Sequence, residues 1–130
     1  MICYCCSGKN FDECCQPFLV GTAKPQTAEE LMRSRFSAYA VGAIEYLLRS
    51  THPSTRKFHN AEDLENWAKS NTWEKLEIVS KSNGEAKDKF GTVEFKAYFT
   101  DAENKPQIHH EHSNFRKELG KWFFVDGKIL

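Results

Sequence analysis

The stretch TVEFKAYFT, residues 92–100, alternates strictly. Val93, Phe95, Ala97 and Phe99 point one way, while Glu94, Lys96 and Tyr98 point the other, the pattern of a strand with one buried face. The same texture runs through WEKLEIVSKS (73–82), QIHHEHSNFRKEL (107–119) and KWFFVDGKIL (121–130), with Asn83-Gly84, Asn104-Lys105-Pro106 and Gly120 supplying the breaks. Upstream the period is helical. Thr27 opens a helix, and Glu30 three residues on completes a capping box. Met32, Phe36, Tyr39 and Ala43 recur four, three and four apart and form one stripe, which Gly42 stops. AIEYLLRS (43–50) is a second helical piece, ended by the His52-Pro53 dipeptide. AEDLENWAKS (61–70) is a third, with Leu64, Trp67 and Ala68 on one face. Three helices followed by four consecutive strands predict an α+β fold, an antiparallel sheet with helices on one side.

A chain of 130 residues holds one domain with a real core plus a small appendage. Its 40% hydrophobic and 28% charged residues are those of a soluble globular protein. Eighteen basic residues balance eighteen acidic ones, which removes the global electrostatic argument for nucleic acid or an anionic membrane. The longest weakly polar stretch, Ser37 to Leu48, is interrupted by Glu45 and too short to span a bilayer. MICYCCSG lacks the basic segment and apolar run of a secretory signal, so the expected location is cytoplasmic. In a reducing compartment clustered cysteines are metal ligands or redox thiols more often than disulfides.

All five cysteines fall between Cys3 and Cys15, arranged as Cys3-x-Cys5, eight residues, then Cys14-Cys15. Two close pairs joined by such a loop can wrap one zinc ion; the rival redox reading rests on the Cys3 to Cys6 spacing and lacks a preceding strand. Gly8 turns the loop, Phe11 supplies an apolar plug, Lys9 offsets part of the thiolate charge, and QPFLVGTAKPQ (16–26) reads as a linker. So short a unit owes its order to the metal, and metal loss is expected to unfold it and spare the rest. The division is residues 1–22 and 23–130.

The cluster resembles the SEC-C zinc-binding motif, named for the C-terminal tail of the SecA translocation ATPase, through Cys3-Tyr4-Cys5, Ser7-Gly8-Lys9, Phe11 and Cys14-Cys15. The resemblance implies Cys3, Cys5, Cys14 and Cys15 as ligands of one structural Zn2+, and contacts to protein or ribosome. Cys6 departs from it, standing where the motif has glycine. TAEELMRSRFSAYAVGAIEYLLRSTHPSTR, LEI, VEFKAYF, HEHSNF and KWFFVDG are similar to the YchJ family of small bacterial proteins, which carries the resemblance over nearly the whole chain. That implies an NTF2-like cone, a curved antiparallel sheet wrapped around a long helix. Some members carry a second SEC-C motif, whereas these residues hold one. The resemblance implies no biochemical role.

Such a cone encloses a recess, for which Arg33, Arg35, Tyr39, His52, His110 and Glu111 are candidates with Trp67, Trp73 and Trp122 as walls; it is expected to be bordered by some of Arg35, Tyr39, His52, His110 and Trp122 and to suit a small anionic or aromatic ligand. Arg33 and Arg35 lie about 200° apart around the helix, so one faces inward, where a structural salt bridge is its expected fate. His110 and Glu111 are neighbours on a strand and face opposite sides. His110 and His112 share a face, but no third metal ligand is evident beside them. No phosphate loop, nucleophile elbow or dinucleotide fingerprint is present, and the sequence leaves enzymatic activity and oligomeric state undecided. A recess filled by aromatic side chains would favour a zinc-binding adaptor. One lined by unpaired polar groups would favour an enzyme or small-ligand-binding protein.

Overall fold

The structure, a computed structural model, describes residues 1–130. A 3-10 turn, Phe11–Glu13, precedes five α-helices: α1 (Gln16–Val20), α2 (Ala28–Val41), α3 (Ile44–Arg49), α4 (Pro53–Arg56) and α5 (Ala61–Ser70). Four strands follow, β1 (Thr72–Asn83), β2 (Phe90–Thr100), β3 (Pro106–Glu118) and β4 (Lys121–Ile129). They form an antiparallel meander in the order β1-β2-β3-β4. Bulges in β1 and one at Asn114/Phe115 bend the sheet. Its concave face carries Val93, Phe95, Ala97 and Phe99, all buried as the alternation demands.

Helix α2 lies in that concavity. The Thr27 hydroxyl accepts from the Glu30 amide at 3.1 Å, one half of the expected box. The other half is displaced by one residue, since Glu30 accepts from the amide of Gln26 rather than Thr27. Gly42 ends the helix in the left-handed conformation, φ 77°. The N-terminus of α2 is pinned by the bond from Ala28 N to Gly84 O (2.9 Å), and a Cβ on Gly84 would lie 2.8 Å from that of Ala28. Glycine is therefore required in the β1–β2 turn.

Two local readings change. QPFLV is α1, because Pro17 in a first helical turn needs no amide partner. His52-Pro53 starts α4 instead of only breaking the chain, with the His52 ring accepting from the Ser54 amide as an N-cap. The segment between α3 and α4 is tied to β4 by His52 N to Phe124 O (2.7 Å) and Phe124 N to Ser50 O (2.9 Å), which closes that side of the cone.

The cysteine-rich unit is no appendage. Cys3, Cys5 and Cys15 are at most 3% exposed and belong to one buried cluster with Leu31, Phe36, Leu47 and Phe115. The Cys3 Sγ lies 3.6 Å from the Ser37 hydroxyl of α2. The Arg33 guanidinium donates to the Cys5 carbonyl at 2.6 Å, and Arg49 to that of Leu19 at 2.9 Å. Spacing carries no record of this docking, because each partner is remote in sequence.

Candidate functional site

The chain from Met1 folds back on itself through an isolated bridge between Ile2 and Asn10, which brings the two cysteine pairs together. The Sγ atoms of Cys3, Cys5, Cys14 and Cys15 all lie within 4.8 Å of one another. Cys5 and Cys14 are 3.7 Å apart, Cys14 and Cys15 3.9 Å. A tetrahedral thiolate site with metal–sulfur bonds of about 2.3 Å has sulfur–sulfur edges of about 3.8 Å, so this donor set fits a metal ion once its wider pairs draw in. The Cys5 thiol is drawn down to about 4, chiefly by its hydrogen bond with Cys15, and that same bond, with burial, pushes Cys15 up. Arg33 and the exposed Lys9 both line a surface groove with Cys14 and Cys15, and both place positive charge beside the cluster. Cys6 is exposed, with φ 65°. That left-handed backbone explains why glycine suits the position and why the Cys6 thiol stays out of the cluster.

On the opposite side of α2 lies a cavity of about 180 Å³ between the helix and the concave sheet. Met32, Phe36 and Tyr39 of the predicted stripe form its roof. Arg35 enters it as well. The two arginines do face opposite ways, Arg33 to the cysteines and Arg35 to the cavity. Arg35 is 5% exposed and forms no salt bridge; its Nη1 donates to Leu47 O (2.9 Å), Ser50 Oγ (2.7 Å) and Thr51 Oγ1 (3.3 Å). Its guanidinium stacks 4.5 Å over the Phe124 ring. Its Nε and Nη2 have no protein acceptor, and the Tyr39 hydroxyl has no partner either. Every fully buried polar side-chain atom in the molecule is hydrogen-bonded. These atoms therefore keep some accessible surface, and both residues line the cavity.

The sheet supplies the facing wall. His109, Glu111 and Ser113 pair across β2 with Ala97, Phe95 and Val93, so they share the concave face. Glu111 accepts from His109 Nε2 at 2.8 Å and from the Ser113 hydroxyl. Burial pushes the Glu111 carboxyl up, but those hydrogen bonds and the charges of His109 and Arg35 outweigh it and hold it below its ordinary value. Room for the carboxylate comes from Gly127 on β4, where a Cβ would stand 2.1 Å from Glu111 Oε2. Burial, then Arg35, lowers His59 at the rim, and burial raises Tyr39, so both are neutral near pH 7. Trp67 and Trp73 stack edge-on at 5.8 Å and wall one part of the cavity, with Phe99 packed behind Trp73 at 4.9 Å.

The five expected recess residues do not converge. Arg35 and Tyr39 line the cavity; His52, His110 and Trp122 do not. His52 is held between Ser54 and Glu118, 2.7 Å from Glu118 Oε2, on the far side of β4. His110 lies on the outer face and bonds Glu94 at 2.8 Å. The Trp122 indole is buried and donates to Gln26 O at 3.0 Å. The histidine error is one of strand parity. Glu111 was among the candidates, and carrying the inward set of β2 across the Asp101–Lys105 turn selects His109 beside it in place of His110. His59 and Phe124 left no such signal.

Fold and site together define a class: an NTF2-like α+β protein with an N-terminal four-cysteine knuckle docked on its central helix. Residues 27–127 match the family described as YchJ, middle NTF2-like domain, and the chain belongs to the YchJ family. It is 42% identical over 126 residues to a UPF0225 protein of Geobacter sulfurreducens, covering 97% of this chain and 78% of that one. A UPF0225 protein of Actinobacillus succinogenes is 38% identical over 128 residues, 98% and 82% of the two chains. The solution structure of RPA3114, a SEC-C motif containing protein from Rhodopseudomonas palustris, superposes with a TM-score of 0.91 at 37% identity, covering 100% of this chain and 99% of that one. A SEC-C motif containing protein from Psychrobacter arcticus gives 0.80 at 33% identity, over 95% and 75%. No helix is long and apolar enough to cross a membrane.

Proposed function

We propose that the protein is a small-ligand-binding protein whose site is the cavity between α2 and the sheet, with one zinc ion in the knuckle as a structural element. The observation that carries this reading is the buried Arg35 guanidinium, which lines an aromatic-walled cavity, bonds protein acceptors through Nη1 alone and leaves Nε and Nη2 without one, with the unpartnered Tyr39 hydroxyl lining the same cavity. A core serving only stability would spend those donors on protein acceptors. The ligand class is small and planar, with acceptor atoms for Arg35 and a ring for the aromatic walls. Zinc is the ion of choice because four thiolates in a closed tetrahedron suit it and leave no position for substrate. This assignment fits a cytoplasmic setting, where thiols stay reduced.

Two measurements test the reading. Protein purified without added metal is expected to carry one zinc per chain by elemental analysis; none would end the zinc assignment. Titration with benzoate and phenylacetate to about 10 mM is expected to shift the indole signals of Trp67 and Trp73 in nitrogen-15 spectra and leave that of Trp122 in place. No shift at Trp67 or Trp73 would end the ligand reading.

A second reading, the zinc-binding adaptor, draws support from the outer face of the knuckle, where Met1, Ile2 and Val20 are 72%, 61% and 64% exposed. Such side chains suit contact with a protein or ribosomal partner. Ile2→Asp with Val20→Asp should then abolish native capture of a partner that wild type retains, with zinc content unchanged.

A further inference from the structure

The cavity is more than a place to bind. Its two walls are chemically unlike: α2 presents hydrogen-bond donors, Arg35 and Tyr39, and β3 presents an imidazole backed by a carboxylate, His109 and Glu111. An ionised carboxylate only accepts, so His109 Nε2 must carry the proton in the 2.8 Å bond to Glu111. That leaves Nδ1 as the basic nitrogen, and it has no protein partner. His109 is 30% and Glu111 15% exposed, so the pair is partly desolvated yet reachable. No nucleophile competes with it, since the Ser113 hydroxyl is fully buried and committed to Glu111. A base on one wall and unpartnered donors on the other are the two requirements for taking a proton from carbon beside a carbonyl group.

Resting on the ligand-binding reading above, we propose that the cavity catalyses keto–enol proton transfer on small aryl-substituted carbonyl compounds, with His109 as the base and Arg35 and Tyr39 as the groups that hold the developing oxyanion. His109 Nδ1 takes a proton from the carbon between the ring and the carbonyl. The C–H electron pair becomes the new C=C bond, and the carbonyl π pair moves to oxygen, where the Arg35 Nη2–H and Tyr39 O–H donate to it. The imidazolium exchanges its proton with solvent and returns one to the same carbon, or it gives its proton to the enolate oxygen, which regenerates the neutral imidazole as the enol leaves. The reaction is redox-neutral and needs no co-reactant. Glu111 acts through His109, as a positioning residue that fixes the tautomer and stabilises the imidazolium. The cavity of about 180 Å³ is smaller than sites for drug-sized ligands, about 300–1,000 Å³, so a single ring with a short oxygenated chain is the size it takes.

The probe is phenylpyruvate in deuterium oxide, with loss of its benzylic proton signal followed by NMR and binding followed separately through the Trp67 and Trp73 indole shifts. Wild type is expected to speed exchange by at least about 10²-fold over buffer. His109→Gln should bring the rate to within a few-fold of buffer while binding persists, and Tyr39→Phe should lower it by about 10-fold. Imidazole nitrogen-15 shifts should show His109 protonated at Nε2 in wild type and a mixture of tautomers in Glu111→Ala. Binding without faster exchange overturns this proposal and leaves the ligand reading intact, and so does wild-type exchange in both His109→Gln and Tyr39→Phe. Absence of phenylpyruvate binding overturns the proposal, and benzoate and phenylacetate then decide the ligand reading on their own.

Discussion

Stripping the metal from the intact chain is expected to lower the melting temperature of the domain that carries the tryptophans, because the knuckle and that domain share buried surface. The interface can be summed. The bond from Arg33 to the Cys5 carbonyl, 2.6 Å, is a charged-donor hydrogen bond, and with the Arg33 side chain 23% exposed its net value is taken at the low end, about 1.5 kcal/mol. Cys3, Cys5 and Cys15 lose their burial, each about 1 kcal/mol at roughly 25 cal/mol per Å². The interface is thus worth about 3–5 kcal/mol, a fall of about 10–20 °C for a chain of this size. Near-ultraviolet dichroism of Trp67, Trp73 and Trp122 through a thermal ramp, with bound zinc and with a strong chelator, measures it. Melts that coincide within about 2 °C would refute the reasoning and restore the independent appendage that the sequence suggested.

Gly127→Val should displace the Glu111 carboxylate from His109 and Ser113, since its Cβ would stand 2.1 Å from Oε2; a loss of about 2–4 kcal/mol in a urea titration is expected, and an unchanged midpoint would show that the carboxylate has room elsewhere. Glu111 and Glu29 both sit below the ordinary carboxylate value, Glu111 through His109 and Ser113 and Glu29 through Arg33 and Lys81, each against an opposing push from burial. Their stabilising effect is full above the unfolded carboxylate value of about 4.3 and is lost as pH falls through the lower folded values. Stability should therefore drop below about pH 4.5, and Glu111→Gln should flatten that drop; a variant with the wild-type acid profile would contradict it. In the zinc-loaded protein a small alkylating reagent should modify Cys6 alone, leaving the four clustered thiols protected, and mass spectrometry showing a second labelled cysteine would count against the ligand set.

Much of the fold was legible because its signals are local. The alternation of Val93, Phe95, Ala97 and Phe99 specifies a half-buried strand whatever lies beside it, AEDLENWAKS coincides with α5, and Gly42 stops α2 through its own backbone freedom. The knuckle was legible for the same reason, its four thiols lying within thirteen residues of chain. The cavity was only half legible. Tyr39 follows from the helical stripe and Arg35 from its place opposite Arg33 on the helix, but His109 enters through the register of β2 on β3, and a slip of one residue in that register exchanges it for His110. Gly127 makes room for Glu111 from a third strand, and Phe124 reaches Arg35 only because β4 is tied to the segment after α3. The same holds for the docking of the knuckle on Ser37 and Arg33, and for His52, withdrawn from the cavity by Glu118, 66 residues away. Local periodicity is set by torsions and solvent exposure over a few residues, so the sequence determined the elements and the metal loop. Which side chains meet across the chain depends on strand register, bulges and the seating of one layer on another, and those the tertiary structure alone decided.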